Sequence, residues 1–412
     1  MHSYAKVFFL ICFIFTLIFF PWEVVFVSVE DHAESSNILF NDHLKDQQTV
    51  QEENNLEDHQ NDQKTEIQRN PEVKYILLYE TPPWMKTVKL LPSAKKCIVT
   101  SDRKLLPKIE MFDALLFSGQ HPWSVEKSFP KYRSSEQFYV FVDLECPPMS
   151  AHKFASDPNR ELYNLTMTYR RDSDIYWPYG FIAKDNVKYL SEAEEPEWME
   201  PVFDDAEEID PTLLQSIETK HKTAAWFVSN CHAQSNRNEL AHAMQKTIDV
   251  DIYGKCGPLV CPRSKTGECY DHVEQEYFFY LSFENNLCND YITEKVFSIM
   301  RYNIVPVVYG GANYSQHLPP HSYIDANDFT TATDLANYLN YLRENIKEYV
   351  KFFWWKKYYK TIFSGKVYNN ICDKLHELTS SGNERNATFY EDIETWWTKD
   401  QCSKKKQKIK FI

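Results

Sequence analysis

Residues Tyr277–Met300 read YFFYLSFENNLCNDYITEKVFSIM, and this stretch constrains the fold more than any other. An apolar run ends abruptly at Phe283-Glu284-Asn285. Beyond it, Asn289-Asp290-Tyr291 opens a helical pattern that carries Thr293-Glu294-Lys295 on its first turn. Ile304–Tyr309 then reads as a second buried strand, closed by Gly310-Gly311. Strand, loop, helix and strand in that order predict an open α/β sheet, whose ligands bind in the crevice beyond the strand carboxyl ends. A Glu and a Lys at a helix start in that crevice offer complementary chemistry. The carboxylate can accept hydrogen bonds from a ribose diol, and the ammonium can hold a phosphate. On spacing alone, such a Glu-Lys pair is more often a solvated helix face.

A chain of 412 residues exceeds one ordinary domain, so two globular domains are expected. The net charge of −14 is concentrated near the N-terminus: Glu30–Asn70 holds 11 acidic and 3 basic residues, or −8. The remaining body is only mildly acidic, which argues against a nucleic-acid partner. Lys404–Lys410 reads as a solvated basic tail. Val7–Phe20 is a run of 14 uncharged residues, interrupted by Pro21-Trp22-Glu23 and resumed by Val24–Val29. The span suffices to cross a bilayer, and bulky residues replace the small ones of a cleavage site. Lys6 before it and Glu30, Asp31 and Glu34 after it predict a single-pass anchor over 7–29, a cytoplasmic tail over 1–6 and a lumenal body. Residues 30–72 cannot bury enough surface to offset their ordering entropy and read as a flexible stem.

Nine of the ten cysteines lie beyond the anchor. Cys256, Cys261 and Cys269 could supply three thiolates, but a tight Cys-x2-Cys knuckle and suitably spaced His are missing. Disulfides in an oxidising lumen fit better than metal. An odd count leaves a free thiol, for which Cys231 and Cys288 are candidates. Sequons stand at Asn164, Asn313 and Asn386, each usable only if lumenal.

Strand-like runs at Tyr75–Tyr79, Cys97–Thr100, Ala114–Phe117 and Phe138–Asp143 predict a first α/β domain, bounded with its linker at 73–215. The Glu/Pro-rich stretch Ser191–Ile209 is that linker. A second α/β domain over 216–365 contains a strand at Ala224–Val228, the loop Ser229–Asn236, a helix at Arg237–Lys246 and a strand at Asp251–Tyr253. The helix at Leu335–Arg343 and the aromatic run Phe352–Trp355 close it, the latter read as core packing rather than a sugar platform. Residues 366–412 form a C-terminal segment packing back, with the basic tail.

Arg237 and Lys295 each open a helix after a strand and are candidate phosphate ligands. Glu145 directly follows the strand Phe138–Asp143 and precedes Pro147-Pro148, which fixes a carboxylate at a strand's carboxyl end, facing the cleft. Asp172-Ser173-Asp174 tempts a manganese reading. Its place in the first domain beside Arg170 and Arg171 favours arginines pairing with both carboxylates instead.

Phe283-Glu284-Asn285 with Asp290-Tyr291-Ile292-Thr293-Glu294-Lys295 closely resembles the signature of the α1,3-fucosyltransferases, Golgi enzymes that use GDP-fucose. The loop Ser229-Asn230-Cys231 through Asn236-Arg237 resembles their first donor-binding segment. Asn164–Asp174 with Pro178-Tyr179-Gly180 resembles their acceptor-domain motif, and the whole likeness spans roughly Tyr75 to Trp397. It implies a GT-B architecture, two Rossmann-like domains facing across a cleft. Arg237 and Lys295 would contact the GDP phosphates and Glu294 the ribose, with Tyr291 also gripping the donor. Ser229 and Asn230 would belong to the donor loop, and Glu284 and Asn285 would be fucose or nucleotide contacts. Glu145 would be the catalytic base, although Cys146 stands where the family usually has Ser. No metal would be required, with Mn²⁺ able to raise the rate through the released diphosphate. The resemblance further implies a Cys97–Cys372 disulfide, an N-glycan acceptor and a type II Golgi membrane protein. The elements near Cys231, Cys256-Gly257-Pro258 and Cys261 look most like invertebrate members. Whether the acceptor is the innermost GlcNAc or an antenna stays open, as do two rivals: a non-catalytic glycan- or nucleotide-binding module, and transfer of another nucleotide sugar.

Overall fold

Every residue of Ala114–Ser118 (β3) and of Phe138–Asp143 (β4) is buried. Strands covered on both faces by crossover connections lose the apolar–polar alternation and read as continuous hydrophobic runs. In the computed structural model they form the centre of a six-stranded parallel sheet. With Val73–Glu80 (β1), Lys96–Thr100 (β2), Leu165–Thr168 (β5) and Ile175–Tyr176 (β6), the order is β2-β1-β3-β4-β5-β6. The described residues are 69–81, 85, 96–119, 129–150, 161–184, 188–189, 196–203, 209–363, 367–380, 389–403 and 407–412. The expected anchor, residues 30–68 of the expected stem and the Asn386 sequon lie outside them. Among the described residues, no helix is long and apolar enough to cross a membrane.

The first sheet is followed by a short hairpin, Gly180–Lys184 (β7) with Lys188–Tyr189 (β8). The second parallel sheet comprises Lys222–Phe227 (β9), Val250–Tyr253 (β10), Tyr277–Phe283 (β11), Val305–Tyr309 (β12) and Ile324–Asp325 (β13), in the order β10-β9-β11-β12-β13. Tyr359–Phe363 (β14) then returns to pair antiparallel with β7, so the small third sheet joins the end of the second lobe to the first. The helix Pro211–Glu218, capped by the Asp210 side chain on Thr212 N, buries Ile217 in the second lobe's core. It thus belongs to that lobe, ahead of the boundary expected at 215. Phe352, Phe353 and Trp355 are buried, as core packing requires.

Both parallel sheets reverse strand order once, between β1 and β3 and between β9 and β11. In doubly wound sheets that reversal opens the crevice in which ligands bind. The loops leaving β9 and β11 are Ser229–Asn236 and the segment that begins at Glu284.

After β14 the chain returns to both lobes. The helix Val367–Leu378 packs on β1, β2 and β6, and Trp397 is buried in the first lobe's core, donating to Ser150 Oγ at 2.8 Å. The basic tail departs from expectation. Ile409 is buried in the second lobe, Lys410 N donates to Thr330 O at 2.9 Å, and Ala332 N donates to Lys410 O at 2.8 Å. An apolar residue between lysines lets the backbone pair while the ammoniums stay wet.

Among the described residues four disulfides are present: Cys97–Cys372, Cys231–Cys256, Cys261–Cys269 and Cys288–Cys402. Cys231 and Cys288 are therefore bonded, contrary to the expectation of free thiols there, and the free cysteine among the described residues is the buried Cys146. Cys97–Cys372 closes a span of 275 residues. Replacing both cysteines by serine is expected to destabilise the fold by about 2–5 kcal/mol. Thermal melting under non-reducing conditions checks this; an unchanged midpoint contradicts it.

Candidate active site

Glu145 emerges two residues beyond the carboxyl end of β4. Its backbone N–H donates to Asp143 Oδ1 at 2.9 Å, and the preceding carbonyl, Leu144 O, accepts from Tyr179 Oη at 2.7 Å. These two contacts fix the turn before the prolines continue it. The carboxylate is half-buried and accepts a hydrogen bond from Tyr291 Oη at 2.9 Å, a residue of the other lobe. Burial raises its pKa; the Lys295 ammonium and the Tyr291 hydroxyl pull it back, while Glu294 and Glu284 push it further up. A carboxylate with a raised pKa beside a cation is suited to taking a proton near neutral pH.

On the second lobe, Glu284 directly follows β11 and is almost completely buried. Its Oε1 accepts from both Thr293 N and Thr293 Oγ1 at 2.9 Å, and its Oε2 pairs with Lys295 Nζ at 2.9 Å. Lys295 Nζ also donates to Thr293 Oγ1 at 2.6 Å. Burial works to lower the Lys295 pKa, but Glu284 and Glu294 outweigh it and hold the ammonium above its ordinary range. Lys295 stays cationic, with 22% of its side chain exposed beside a 44% exposed Glu294. Thr293, which the sequence marks within the signature without assigning it a role, is the hub of this bracket.

Arg237 opens the helix Arg237–Met244 directly after Asn236, whose φ of 57° is left-handed. Its guanidinium is buried, with Nη1 donating to Phe283 O at 2.7 Å and Nη2 to Asn230 O at 3.3 Å. It therefore ties the ends of the β9 and β11 loops together at the switch point. Ser235 adds a second tie, its Oγ donating to Glu284 O at 2.7 Å and its N–H to Asn285 O at 3.1 Å. Ser229 is exposed, and Asn230 accepts from His232 N at 3.3 Å through Oδ1. The disulfide Cys231–Cys256 pins this loop to the chain beyond β10.

Among the described residues, Arg237 Nε, Asn285 Oδ1 and Tyr314 Oη are buried here without a hydrogen-bond partner. Tyr314 sits where a Cβ on Gly310 would meet its hydroxyl at 2.4 Å, and the same Cβ would lie 3.4 Å from Glu284 Cγ. Only glycine at 310 lets the ring come so close. Orphaned donors and acceptors beside a strand end are groups that a polar ligand can satisfy.

The expected donor residues thus gather around one crevice, but their roles divide. Ser229, Glu294 and Lys295 present accessible surface, Asn230 and Asn285 are half-buried, and Arg237 presents only its free Nε. Glu284 and Tyr291 are almost completely buried, the first bonded to Thr293 and Lys295 and the second to Glu145. A cavity of about 880 Å³ adjoins the site without including Glu145 or Lys295. It is lined by Arg170–Asp172 from the first lobe and by Asp290, Tyr314, Tyr323 and Asp325 from the second.

The Asp172-Ser173-Asp174 motif is divided in the structure. Arg170 forks onto Asp172, through Nε at 2.8 Å, and also lies 3.9 Å over the Trp396 ring. Among the described residues Asp174 takes no arginine, contrary to expectation; it accepts from Thr166 N and Tyr390 Oη, each at 2.8 Å. Both carboxylates brace the wall. Among the described residues the one cluster of metal-type side chains is Cys97, Cys372 and His376, whose two sulfurs are joined to each other.

Asn164 is buried, and its Oδ1 accepts from Tyr139 N at 3.0 Å and from Arg133. It splices β4 to β5, so as a glycan acceptor it does not fit the folded lobe. Asn313 is exposed, on the cavity rim.

Two family models match this chain. "Fucosyltransferase, N-terminal" covers residues 71–180, and "Glycosyltransferase family 10 (fucosyltransferase) C-term" covers residues 217–396. The chain belongs to glycosyltransferase family 10. The matched regions coincide with the two parallel-sheet lobes, so both halves of this fucosyltransferase family are represented. Among relatives, Alpha-(1,3)-fucosyltransferase C of Drosophila melanogaster is 41% identical over 307 residues, 73% of this chain and 69% of that protein. Glycoprotein 3-alpha-L-fucosyltransferase A of the same fly is 31% identical over 347 residues, covering 81% and 62%. A solved α1,3-fucosyltransferase with GDP overlays with a TM-score of 0.45 at 15% identity, covering 76% of this chain and 92% of that one. That likeness is too loose to locate any residue.

Proposed function

We propose that this chain catalyses inverting transfer of L-fucose from GDP-β-L-fucose to O3 of a GlcNAc in glycoprotein N-glycans, with Glu145 as base. The reaction class, α1,3-fucosyl transfer from GDP-fucose to a glycan, follows from family membership and from its relatives. The observation that carries the finer reading is the hydrogen bond that Tyr291 of the second lobe donates to Glu145 of the first, with the Lys295 charge acting on the same carboxylate.

In this reading the two lobes form a GT-B cleft. GDP lies over the β9/β11 reversal, with Lys295 and the free Arg237 Nε toward the diphosphate and Glu294 toward the ribose. Glu145 takes the proton from the acceptor hydroxyl as its oxygen bonds to the anomeric carbon. The carbon–oxygen bond to the β-phosphate breaks on the opposite side, and the charge leaving with GDP is met by Lys295. One base and one displacement invert the centre. Cationic side chains supply the charge stabilisation, so the reading is metal-independent. The N-terminal apolar run would hold the enzyme in the Golgi membrane with its catalytic lobes in the lumen.

The test is a panel of defined N-glycans, core and antennary, incubated with purified lumenal protein and GDP-fucose and read by mass spectrometry. The expected result is one added fucose, sensitive to an α1,3-linkage-specific fucosidase, with the yield kept in EDTA. Loss of activity in EDTA with recovery in Mn²⁺ overturns metal independence. Transfer only from another nucleotide sugar, or to no GlcNAc-bearing acceptor, overturns the substrate assignment.

A further inference from the structure

We propose that the C-terminal segment over residues 389–403 is a strap that holds the loop after β11 in its donor-binding shape before the nucleotide arrives, with Cys402 as a positioning residue. The proposal rests on GDP-fucose binding at the β9/β11 reversal. That loop carries Asn285, whose Oδ1 is buried without a partner among the described residues, and it ends at the bracket of Thr293 and Lys295. Between β11 and the helix Glu294–Ile299 it forms no helix or sheet strand of its own. Although it leaves the second sheet, two of its side chains, Cys288 and Tyr291, are buried in the core of the first lobe. What orders such a crossing loop must come from elsewhere in the chain.

The strap is seated on the first lobe. Tyr390 N donates to Tyr163 O at 2.8 Å, and the helix Ile393–Thr398 starts where Asp392 Oδ1 accepts from Thr395 N at 2.9 Å. Trp397 is fully buried, edge-on to Phe141 at 5.3 Å and to Tyr169 at 5.6 Å between ring centroids. The Trp396 carbonyl accepts from Arg170, whose guanidinium also covers the Trp396 ring. Asp400 then takes a left-handed φ of 58°, and the next residues meet the loop in antiparallel pairing. Asn289 N donates to Gln401 O at 2.8 Å and Ser403 N donates to Leu287 O at 3.0 Å. Between these two bonds, Cys288 is joined covalently to Cys402. Asn289 Nδ2 adds donors to Asp400 O at 3.3 Å and to Gln401 Oε1 at 3.2 Å. On the loop's other side, Arg171 N donates to Asp290 Oδ2 at 3.2 Å.

Pairing closed by a covalent bond removes the loop's freedom in the unliganded protein. A nucleotide that meets a loop already in place does not have to offset the entropy of ordering it, so affinity rises. Once the donor is bound, its own contacts hold the loop. The strap's contribution therefore belongs to donor binding and not to the transfer step.

The test is Cys288→Ser with Cys402→Ser, read by titration calorimetry with GDP and by kcat at saturating GDP-fucose, well below the melting temperature. The Kd for GDP should rise about tenfold. The kcat should stay within about twofold of wild type, as expected when ground-state and transition-state binding are lost together. Cys97→Ser with Cys372→Ser is the comparison, a lost cross-link away from the loop, and it should leave the Kd for GDP unmoved. An unchanged Kd in the Cys288 and Cys402 variant, an equal rise in both variants, or a fall in kcat with an unmoved Kd overturns the proposal. Hydrogen–deuterium exchange of the wild-type protein decides the matter if the variant does not fold. The amides of Asn289 and Ser403 should exchange slowly without GDP and gain little protection with it; fast exchange that GDP alone suppresses overturns the strap. Lys295→Ala separates the two levels. If it binds GDP as tightly as wild type, the donor-site reading has failed. If it weakens GDP binding while the Cys288 and Cys402 variant does not, only the strap has failed.

Discussion

Glu145→Gln should lower the rate of fucose transfer by about 10³-fold, the range that a positioned general base contributes. GDP affinity should stay near the wild-type value. The amide keeps the shape of the carboxylate and can still meet Tyr291 Oη through its oxygen, so the lobe contact survives the change. It cannot take a proton. Steady-state kinetics with titration calorimetry for GDP check both halves of the expectation. A variant that loses GDP binding in step with activity would make Glu145 a donor ligand or a fold determinant.

The second large effect belongs to Lys295. Lys295→Ala removes a cation from the crevice and strands Glu284, whose side chain is only 2% exposed and whose Oε2 pairs with the ammonium at 2.9 Å. Breaking a buried pair by removing one partner costs about 3–5 kcal/mol. The two remaining donors from Thr293 and the partial exposure of Lys295 place this case near the lower end. Donor affinity should fall as well. Changing both members, Glu284→Gln with Lys295→Met, separates the effects: stability should return toward wild type while donor affinity stays low. Thermal melts and GDP titrations of the three proteins report it. Equal loss of both properties in the single and double variants would make the pair purely structural.

Much of the scaffold was legible because parallel strands buried on both faces leave a coarse mark. Ala114–Ser118, Phe138–Asp143 and Tyr277–Phe283 are continuous apolar runs, and each is a central strand. The short edge strands Ile175–Tyr176 and Ile324–Asp325, and the return of Tyr359–Phe363 to pair with Gly180–Lys184, depend on partners far away in sequence and carry no local period. The crevice was legible as well, because Arg237, Glu284 and Lys295 each follow the end of an apolar run.

What the pattern could not assign was how each side chain is spent. Glu284 and Glu294 both read as carboxylates near a strand end. Tertiary packing commits the first to Thr293 and Lys295 and leaves the second 44% exposed. Tyr291 falls within a recognisable signature, yet its partner lies 146 residues away on the other lobe. Asn164 matches a glycosylation sequon by composition and is a buried splice by position. The tail shows the same limit, since Ile409 is one apolar residue among lysines until the second lobe supplies a place to bury it.

The most direct measurement is an experimental structure of the lumenal protein with GDP-fucose, or an inert analogue, and a GlcNAc-terminated acceptor bound together. The diphosphate is expected beside Lys295 at the β9/β11 reversal, with the acceptor O3 within hydrogen-bond reach of Glu145, about 2.6–3.2 Å. Another carboxylate at that hydroxyl, or a donor seated away from Lys295, would contradict it.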